Sequence, residues 1–330
     1  MSRAQTISVA EDDDGLRLDR WFKKHFPEIA HGRLQKLLRT GQVRLDGGRV
    51  KSNSRVVAGQ AIRVPPLGDS VRAPRPTRAA PVKLDESRAR DLIERVIHKD
   101  RDVLIINKPH GLAVQGGSKT NEHLDAYLDA LRFDAAERPK LVHRLDRDTS
   151  GTLVLARNGK AARWLTAAFR RHETRKLYWA VVAGVPQPDQ GIIDAPLDKR
   201  RTGKGEKMQI VDDGEGQRAK TVYEAIAKAG NVASWLALEP LTGRTHQLRV
   251  HAAEVLGTPV VGDGKYGGTY AFPDTDGIAK GLHLHARGLR IEVPGRPAIE
   301  VFAPLPDHMR ETFRFFGFEP GQAEPGFLEP

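Results

Sequence analysis

The chain reads His143-Arg144-Leu145-Asp146-Arg147-Asp148-Thr149-Ser150-Gly151 and continues without a break into Thr152-Leu153-Val154-Leu155-Ala156. The second run is apolar and rich in strand-forming residues, so it predicts a buried β-strand. The charged residues ahead of it therefore lie at the end of a strand, where a side chain is held rigidly beside Arg and Gly. A carboxylate in that position is typical of a preorganised site. Asp146 is the first candidate for chemistry.

The pattern on either side of this segment predicts a sheet with few helices. Strands are predicted at residues 103–107, 152–157, 177–183, 221–227, 234–238 and 289–293, and helices at residues 122–131, 160–171 and 245–256. Strands that follow strands disfavour a doubly wound parallel sheet and favour a mixed, largely antiparallel sheet with helices packed around it. The expected fold class is α+β, and this domain is expected to cover residues 91–313.

Residues 15–64 are strongly basic. They contain 12 Lys or Arg against three acids, a net charge of +9, while the whole chain of 330 residues carries +11. So much excess charge in one short segment is better explained by contacts with phosphate groups than by solubility. The predicted phosphate contacts of this segment are Arg17, Arg33, Lys36, Arg39 and Arg44.

The basic segment contains two helical patterns and a group of short strands. Apolar residues at helical spacing predict helices around residues 18–26 and 34–38, and an Asp46-Gly47-Gly48 turn joins two of the strands that follow. Helix, helix and strands in this order resemble the S4 RNA-binding domain, through residues 17–19, 33–38, 41–47 and 57–62. The resemblance implies a small α/β domain that binds RNA. The alternative is a basic helical hairpin that packs on the next domain.

Composition divides the rest of the chain. Residues 65–90 carry five prolines and few large apolar side chains, and they predict an extended linker. Residues 1–14 and 314–330 are expected to be flexible. The chain has no cysteine, no apolar signal region at its start and no apolar run of membrane length. These features predict a cytoplasmic protein without membrane contact.

Four clusters of charged and polar residues are candidates for a site. They are residues 107–114, the segment around Asp146, residues 175–180 and residues 241–251. Each has a structural explanation when taken alone: a turn at residues 108–111, a core aromatic at Tyr178, a surface ion pair for Arg249. Asp146 is the exception. Asp148, two residues further on, is its rival for the role of reactive carboxylate, or it caps a local turn.

Together the four clusters resemble the RluA family of pseudouridine synthases, and they occur in the order of that family's motifs. His143-Arg144-Leu145-Asp146 with Thr149-Ser150-Gly151 matches the central motif, and Gly262-Asp263 with Tyr266-Gly267 matches a Gly-Asp-x-x-Tyr-Gly element. Leu284-His285-Ala286 with Leu289 matches a late motif, but residues 291–294 depart from its usual ending, so His283 and His285 receive no role. The resemblance covers residues 15–305, and with the basic domain it favours the branch of ribosomal large-subunit pseudouridine synthase C.

The resemblance implies isomerisation of uridine in RNA without a cofactor. The bond from C1′ to N1 breaks, the uracil turns in place, and C5 bonds to C1′. No group departs, so one ionised carboxylate is enough and no second acid is needed, in contrast to a glycosidase. Asp146 has this role in the resemblance. The sequence leaves open whether it attacks C1′, adds to the base or removes a sugar proton.

The family motifs also imply roles for residues around the aspartate. Arg249 matches the arginine that pairs with the aspartate and keeps it ionised, and Tyr178 matches the tyrosine that lies against the target base. A paired base must be flipped out of its helix before it can react. Arg144 is expected to fill the space that the base leaves. The other predicted RNA contacts near the site are His143, Lys108, Arg244 and His246.

The implied partner is large-subunit (23S) ribosomal RNA or an assembly intermediate, bound by a monomer. Transfer RNA or small-subunit ribosomal RNA is the alternative substrate for the same chemistry. A non-catalytic assembly protein of the S4 type is an alternative of another class. A metal hydrolase is a further alternative, through His246, His251, His283 and His285. Since His246 and His251 lie five residues apart rather than four, no metal site is expected.

Overall fold

The computed structural model of the chain describes residues 4–67, 85–116, 122–203, 205–212, 214–321 and 326–328. The chain divides into two compact units, Met1–Val82 and Lys83–Pro330. Most of the predicted linker, residues 65–90, lies outside the described residues. Its last part is a helix rather than a linker, because the Asp85 carboxylate accepts a hydrogen bond from the Ser87 N–H and caps the helix that begins at Glu86.

The first unit consists of two helices and a four-stranded sheet. Its elements are β1 (Gln5–Ser8), α1 (Leu18–His25), α2 (His31–Arg39), β2 (Arg44–Leu45), β3 (Gly48–Arg49) and β4 (Ala61–Val64). The sheet has the strand order β1-β4-β2-β3. The apolar faces of α1 and α2 meet in one core, which includes Trp21, Phe22 and Leu34. Burial of these faces explains why both predicted helices form.

The N-terminal segment is part of this unit, so the prediction that residues 1–14 are flexible is wrong for the part described. β1 pairs with β4 in antiparallel register, with Gln5 opposite Val64. Asp13 is buried, and its two carboxylate oxygens lie 2.5 Å from Lys24 Nζ and from His25 Nε2. Backbone pairing and a satisfied buried carboxylate fix this segment, and composition signals neither of them.

The second unit contains the remaining helices and strands. Its helices are α3 (Glu86–Glu94), α4 (Leu124–Tyr127), α5 (Gly159–Arg171), α6 (Gln247–Val250) and α7 (Asp307–Phe316). Its strands are β5 (Val96–Lys99), β6 (Val103–Lys108), β7 (Lys140–Leu141), β8 (Ser150–Ala156), β9 (Thr174–Ala183), β10 (Gln190–Asp194), β11 (Leu197–Thr202), β12 (Gly205–Ile210), β13 (Lys220–Ala229), β14 (Ala233–Pro240), β15 (Leu284–Val293) and β16 (Arg296–Phe302).

One large mixed sheet organises the second unit. It has ten strands, in the order β10-β13-β14-β9-β15-β8-β6-β5, with β16 beside β15 and β7 beside β8. β15 and β8 are parallel, and the other pairings of the sheet are antiparallel. The α+β class and the mixed, largely antiparallel sheet are therefore confirmed. β11 and β12 form a separate two-stranded hairpin.

Several predicted elements differ from the structure. The helix predicted at residues 122–131 is reduced to α4, and the one predicted at residues 245–256 consists of α6 followed by a π-helical turn at His251–Val255. The C-terminal segment is not simply a flexible tail, because α7 continues to Phe316 and Phe318 is buried beside Trp235. No helix among the described residues is long and apolar enough to cross a membrane.

The middle of the sheet brings the two central motifs together. Gly151, at the start of β8, lies opposite Ala286 of β15 in parallel register. Its φ of +109° is open to glycine, and an added Cβ would lie 2.2 Å from the carbonyl oxygen of Ala286. Ala286 in turn lies opposite Tyr178 of β9. The segment that ends at Gly151 and the strand that carries Tyr178 are therefore separated by one strand of the same sheet.

Candidate active site

The loop that carries Asp146 connects β7 to β8 and is held in place by a buried lysine. Lys108 Nζ donates to the carbonyl oxygens of Pro109 and Leu112, both at 2.9 Å, and to that of Arg147 at 3.0 Å. Lys108 is fully buried, and burial lowers its pKa to about 7. The predicted contact of Lys108 with RNA is therefore wrong, because its ammonium group is enclosed by the three carbonyl oxygens of the loop and cannot reach RNA.

His143 is also a structural residue of this loop. Its Nε2 accepts a hydrogen bond from the Val154 N–H at 2.8 Å, and its ring stacks on Phe169 with the centroids 4.1 Å apart. Burial lowers the pKa of His143 to about 3, so the ring is neutral at physiological pH. Although His143 lines the cavity described next, it cannot supply the cation that a phosphate contact requires.

Asp146 opens onto a cavity of about 470 Å³. The cavity is also lined by Tyr178 from β9, by Arg144 and by a loop that includes Arg244 and His246. The Asp146 side chain is 26% exposed. Burial, and next the Asp146 charge, raise the pKa of Tyr178, so its phenol stays protonated. A carboxylate and a neutral aromatic ring thus share a space of the size that single-ligand sites have.

Arg249 does not pair directly with Asp146, which corrects the predicted ion pair. Its guanidinium makes a bidentate contact with Asp263, at 2.7 Å to each carboxylate oxygen. Asp263 is buried and its Oδ1 also accepts from the Tyr266 N–H. Asp146 still contributes to the raised pKa of Arg249, behind Asp263. Arg249 therefore interacts with the Asp146 carboxylate by charge attraction at longer range rather than by a hydrogen bond.

A histidine lies within ion-pair distance of Asp146. His246 Nε2 lies 3.6 Å from Asp146 Oδ2, and His246 Nδ1 lies 2.6 Å from the phenol oxygen of Tyr266. Burial lowers the pKa of His246, although Asp146 opposes the shift. His246 has a φ of +55°, in a region that non-glycine residues enter only when the surrounding structure fixes them there. His246 thus faces the carboxylate rather than bulk solvent.

The other predicted residues near the site differ in their availability. The Asp148 side chain is 51% exposed and lies 3.8 Å from Arg147 Nε, so it is outside the enclosed part of the cavity. Arg144 is exposed, and it lines the same cavity as Asp146. Arg244 is largely engaged, because it donates to the Arg218 carbonyl and to Gln217 Oε1, both at 2.9 Å. Of the two flanking arginines, Arg144 is the one whose guanidinium forms no hydrogen bond or ion pair with the residues that the structure describes.

The predicted RNA contacts of the first unit fall into two groups. Lys36 and Arg39 lie on the exposed face of α2, opposite its buried leucines. Arg17 pairs with Asp19, Arg33 donates to the Leu67 carbonyl, and Arg44 donates to the carbonyls of Gly41 and Gly47. Within the described residues, the cations of this set whose side chains form no hydrogen bond or ion pair are therefore those on the exposed face of α2.

His283 and His285, which received no role from sequence, are buried in the second unit. His285 Nε2 donates to the Ala303 carbonyl at 3.2 Å, so its Nδ1 accepts from the Ser150 hydroxyl at 2.8 Å. This bond ties the end of the Asp146 loop to β15. His283 contacts Thr312 Oγ1 at 2.8 Å and the Gly281 carbonyl at 3.0 Å. Both rings, like His251 beside Thr221, are used in packing.

The geometry of the site agrees with comparisons with known proteins. A family model described as RNA pseudouridylate synthase matches residues 102–254. The chain is 33% identical to ribosomal large subunit pseudouridine synthase C of Vibrio cholerae, with 94% of this chain and 96% of that protein covered. It is also 33% identical to RNA pseudouridine synthase 4, mitochondrial, of Arabidopsis thaliana, over 95% of this chain and 82% of that protein.

A solved structure shows the same fold. Human RNA pseudouridylate synthase domain containing 4 is 28% identical and superimposes with a TM-score of 0.57. The superposition covers 70% of this chain and 96% of that chain. The fold, the cavity and these relatives define an RNA pseudouridine synthase, an isomerase. The chain belongs to the RluA family of these enzymes. Family membership removes the metal hydrolase and the non-catalytic assembly protein from consideration.

Proposed function

We propose that this protein isomerises uridines of the large-subunit (23S) ribosomal RNA, with Asp146 as the reactive carboxylate. The observation that carries the proposal is the position of Asp146 beside Tyr178 in one cavity, on a loop that Lys108 and His285 hold from two sides. A reactive group needs this support, because an error of about 1 Å in its placement lowers a rate strongly.

The reaction requires that C1′–N1 breaks, that C1′–C5 forms, that the C5 proton leaves and that N1 takes up a proton. A single carboxylate can stabilise the positive charge that develops on the sugar, or add covalently. The protonated phenol of Tyr178 suits stacking against the base and hydrogen bonding to it. Arg144, an exposed arginine that lines the cavity, suits the space that a flipped uridine leaves.

The ribosomal substrate is supported by the names of several relatives at about this level of identity, among them the Vibrio cholerae protein. Transfer RNA and small-subunit ribosomal RNA are the alternative substrates. The proposal includes action as a cytoplasmic monomer and RNA binding by the first unit in the manner of an S4 domain, through Lys36 and Arg39 on α2. Exposed cations on one helix face suit contact with a phosphate backbone.

Two carboxylate variants test the chemistry. Asp146→Asn is expected to abolish release of tritium from RNA labelled at uridine C5, while RNA binding stays within about threefold of the wild type. Asp148→Asn is the matched control and is expected to retain activity. Loss of activity in Asp148→Asn together with retention in Asp146→Asn would refute the assignment.

A deletion strain tests the substrate. Pseudouridines mapped in ribosomal and transfer RNA should be lost from the large-subunit RNA and should return with the wild-type gene but not with Asp146→Asn. If pseudouridines were lost from transfer RNA or small-subunit RNA alone, that RNA would be the substrate instead. For the first unit, Lys36→Gln with Arg39→Gln should lower the salt dependence of RNA binding, and an unchanged slope would remove α2 from the interface.

A further inference from the structure

Lys176 is a cation in the active-site cavity that the proposed mechanism does not use. It lies on β9 two residues before Tyr178, and alternate residues of a strand project to the same face. Both side chains line the 470 Å³ cavity. Lys176 therefore lies about 7 Å along the strand from the tyrosine that faces Asp146.

The ammonium group of Lys176 takes part in no hydrogen bond and no ion pair within 4 Å among the residues that the structure describes. The carboxylate that acts on it is Glu239, which is already engaged by Arg175 through contacts of 2.8 and 2.9 Å. Burial lowers the pKa of Lys176 to about 8, so the group is still charged at neutral pH. A largely buried charge without a partner is unfavourable for folding, which calls for a functional reason.

A second free cation lies at the same cavity. Arg170, in the last turn of α5, lines the cavity and has no hydrogen bond or ion pair within the described part of the chain. His172 follows it and also lines the cavity, with a pKa lowered by burial. The cavity thus has the Asp146 carboxylate facing Tyr178, and an arginine and a lysine that form no ion pair with any acid in the described part of the chain.

We propose that Lys176, together with Arg170, binds a backbone phosphate of the RNA next to the flipped uridine. The inference rests on the proposed function, since it places the target nucleotide between Asp146 and Lys176. Uracil is neutral and offers a cation only its two carbonyl oxygens, whereas a phosphodiester keeps a full charge and offsets the desolvation of an ammonium group. Lysine binds phosphate as a point charge, which suits a side chain that reaches from the floor of a cavity.

The test compares Lys176→Met and Lys176→Arg in the full-length protein. The substrate is total ribosomal RNA, labelled at uridine C5, from a strain that lacks the gene. Lys176→Met should raise KM about tenfold and leave kcat within about threefold, because a phosphate contact is made equally in the ground state and the transition state. The slope of log KM against log salt should fall by about 0.7 to 0.9 in magnitude, the contribution of one phosphate. Lys176→Arg should keep the wild-type slope.

Lys160→Met is the matched control. Lys160 is an exposed lysine in the first turn of α5, about 15 Å along the helix from Arg170 and outside the cavity lining. Its kinetics and salt slope should match the wild type. Lys176→Met should also melt at or above the wild-type temperature, because it removes an unpaired buried charge.

Each other outcome overturns the proposal in a distinct way. A higher KM with an unchanged salt slope would mean that Lys176 contacts a neutral group such as a uracil carbonyl. Unchanged kinetics would mean no RNA contact, and a strongly lowered melting temperature would show a structural lysine. Filter binding in the Asp146→Asn background separates this inference from the proposed function, since the salt slope there reports the phosphate contact even if Asp146 has another role.

Discussion

The phenol oxygen of Tyr266 lies 2.6 Å from Nδ1 of His246, and this contact leaves Nε2 as the ring nitrogen that faces Asp146. Burial raises the pKa of Tyr266 to about 12, so the phenol keeps its proton and can donate a hydrogen bond to Nδ1. The proton of the neutral ring is then on Nε2, which lies 3.6 Å from Asp146 Oδ2. The carboxylate therefore faces an N–H group rather than a lone pair.

Tyr266→Phe is expected to lower kcat about tenfold with little change in KM. The variant frees Nδ1 to carry the proton, so part of the protein presents a lone pair of Nε2 to Asp146 and no longer holds the carboxylate in place. The measurement is a pH profile of kcat by tritium release, in which kcat of the variant should lie below that of the wild type throughout. Tyr270→Phe, at a side chain that is largely exposed, is the control and should leave the profile unchanged. A change confined to KM would argue against this role of Tyr266.

The residues of the site differ in how far the sequence predicts them. Asp146 and Tyr178 follow from local patterns, because each lies on or beside a strand whose apolar run is visible in the sequence. The partner of Arg249 does not follow, since Asp263 lies 14 positions further along the chain and meets it only in the folded protein. Lys108 reads as a basic turn residue in sequence, and its burial depends on three carbonyls that converge in the fold.

The fold shows the same division. Strand periodicity predicts the central strands and hence the mixed sheet, because alternation and apolar runs are local properties. It does not predict β1, which is short and largely exposed and is stabilised by pairing with β4. It also does not predict the end of α4, where a helical pattern gives way to turns. Tertiary context overrides propensity in both places.

Lys108→Met is expected to destabilise the protein by about 3 kcal/mol at pH 7, because three buried carbonyl oxygens lose their donor. The pKa of Lys108 falls from 10.5 in the unfolded chain to about 7 in the folded one. Between these pH values the unfolded chain binds the extra proton, so this residue makes the free energy of unfolding rise with pH by at most about 1.4 kcal/mol per unit.

The measurement is urea unfolding of wild type and Lys108→Met from pH 7 to 10. The difference in free energy of unfolding between wild type and variant should widen as pH rises. The reason is that methionine binds no proton in either the folded or the unfolded state. Lys160→Met, at an exposed position, should have the same free energy of unfolding as the wild type at every pH in this range. A difference that stays constant with pH would show that Lys108 keeps its proton in the folded protein, and that its three carbonyl contacts outweigh desolvation.

Gly151→Ala is expected to destabilise the second unit by more than about 4 kcal/mol, because the new Cβ would lie 2.2 Å from the Ala286 carbonyl oxygen at a φ that side chains avoid.

Gly159→Ala is the matched control in the same unit. Gly159 begins α5 with an ordinary φ, and the nearest atom to its added Cβ is the flexible end of Lys140 at 3.4 Å. That variant should lie within about 0.5 kcal/mol of the wild type or be more stable. Urea unfolding followed by tryptophan fluorescence measures both, with Trp179 and Trp235 reporting on the sheet. A mild effect of Gly151→Ala would mean that β8 and β15 can separate at the point where the Asp146 loop joins the sheet, and such a variant should then lose kcat before it loses stability.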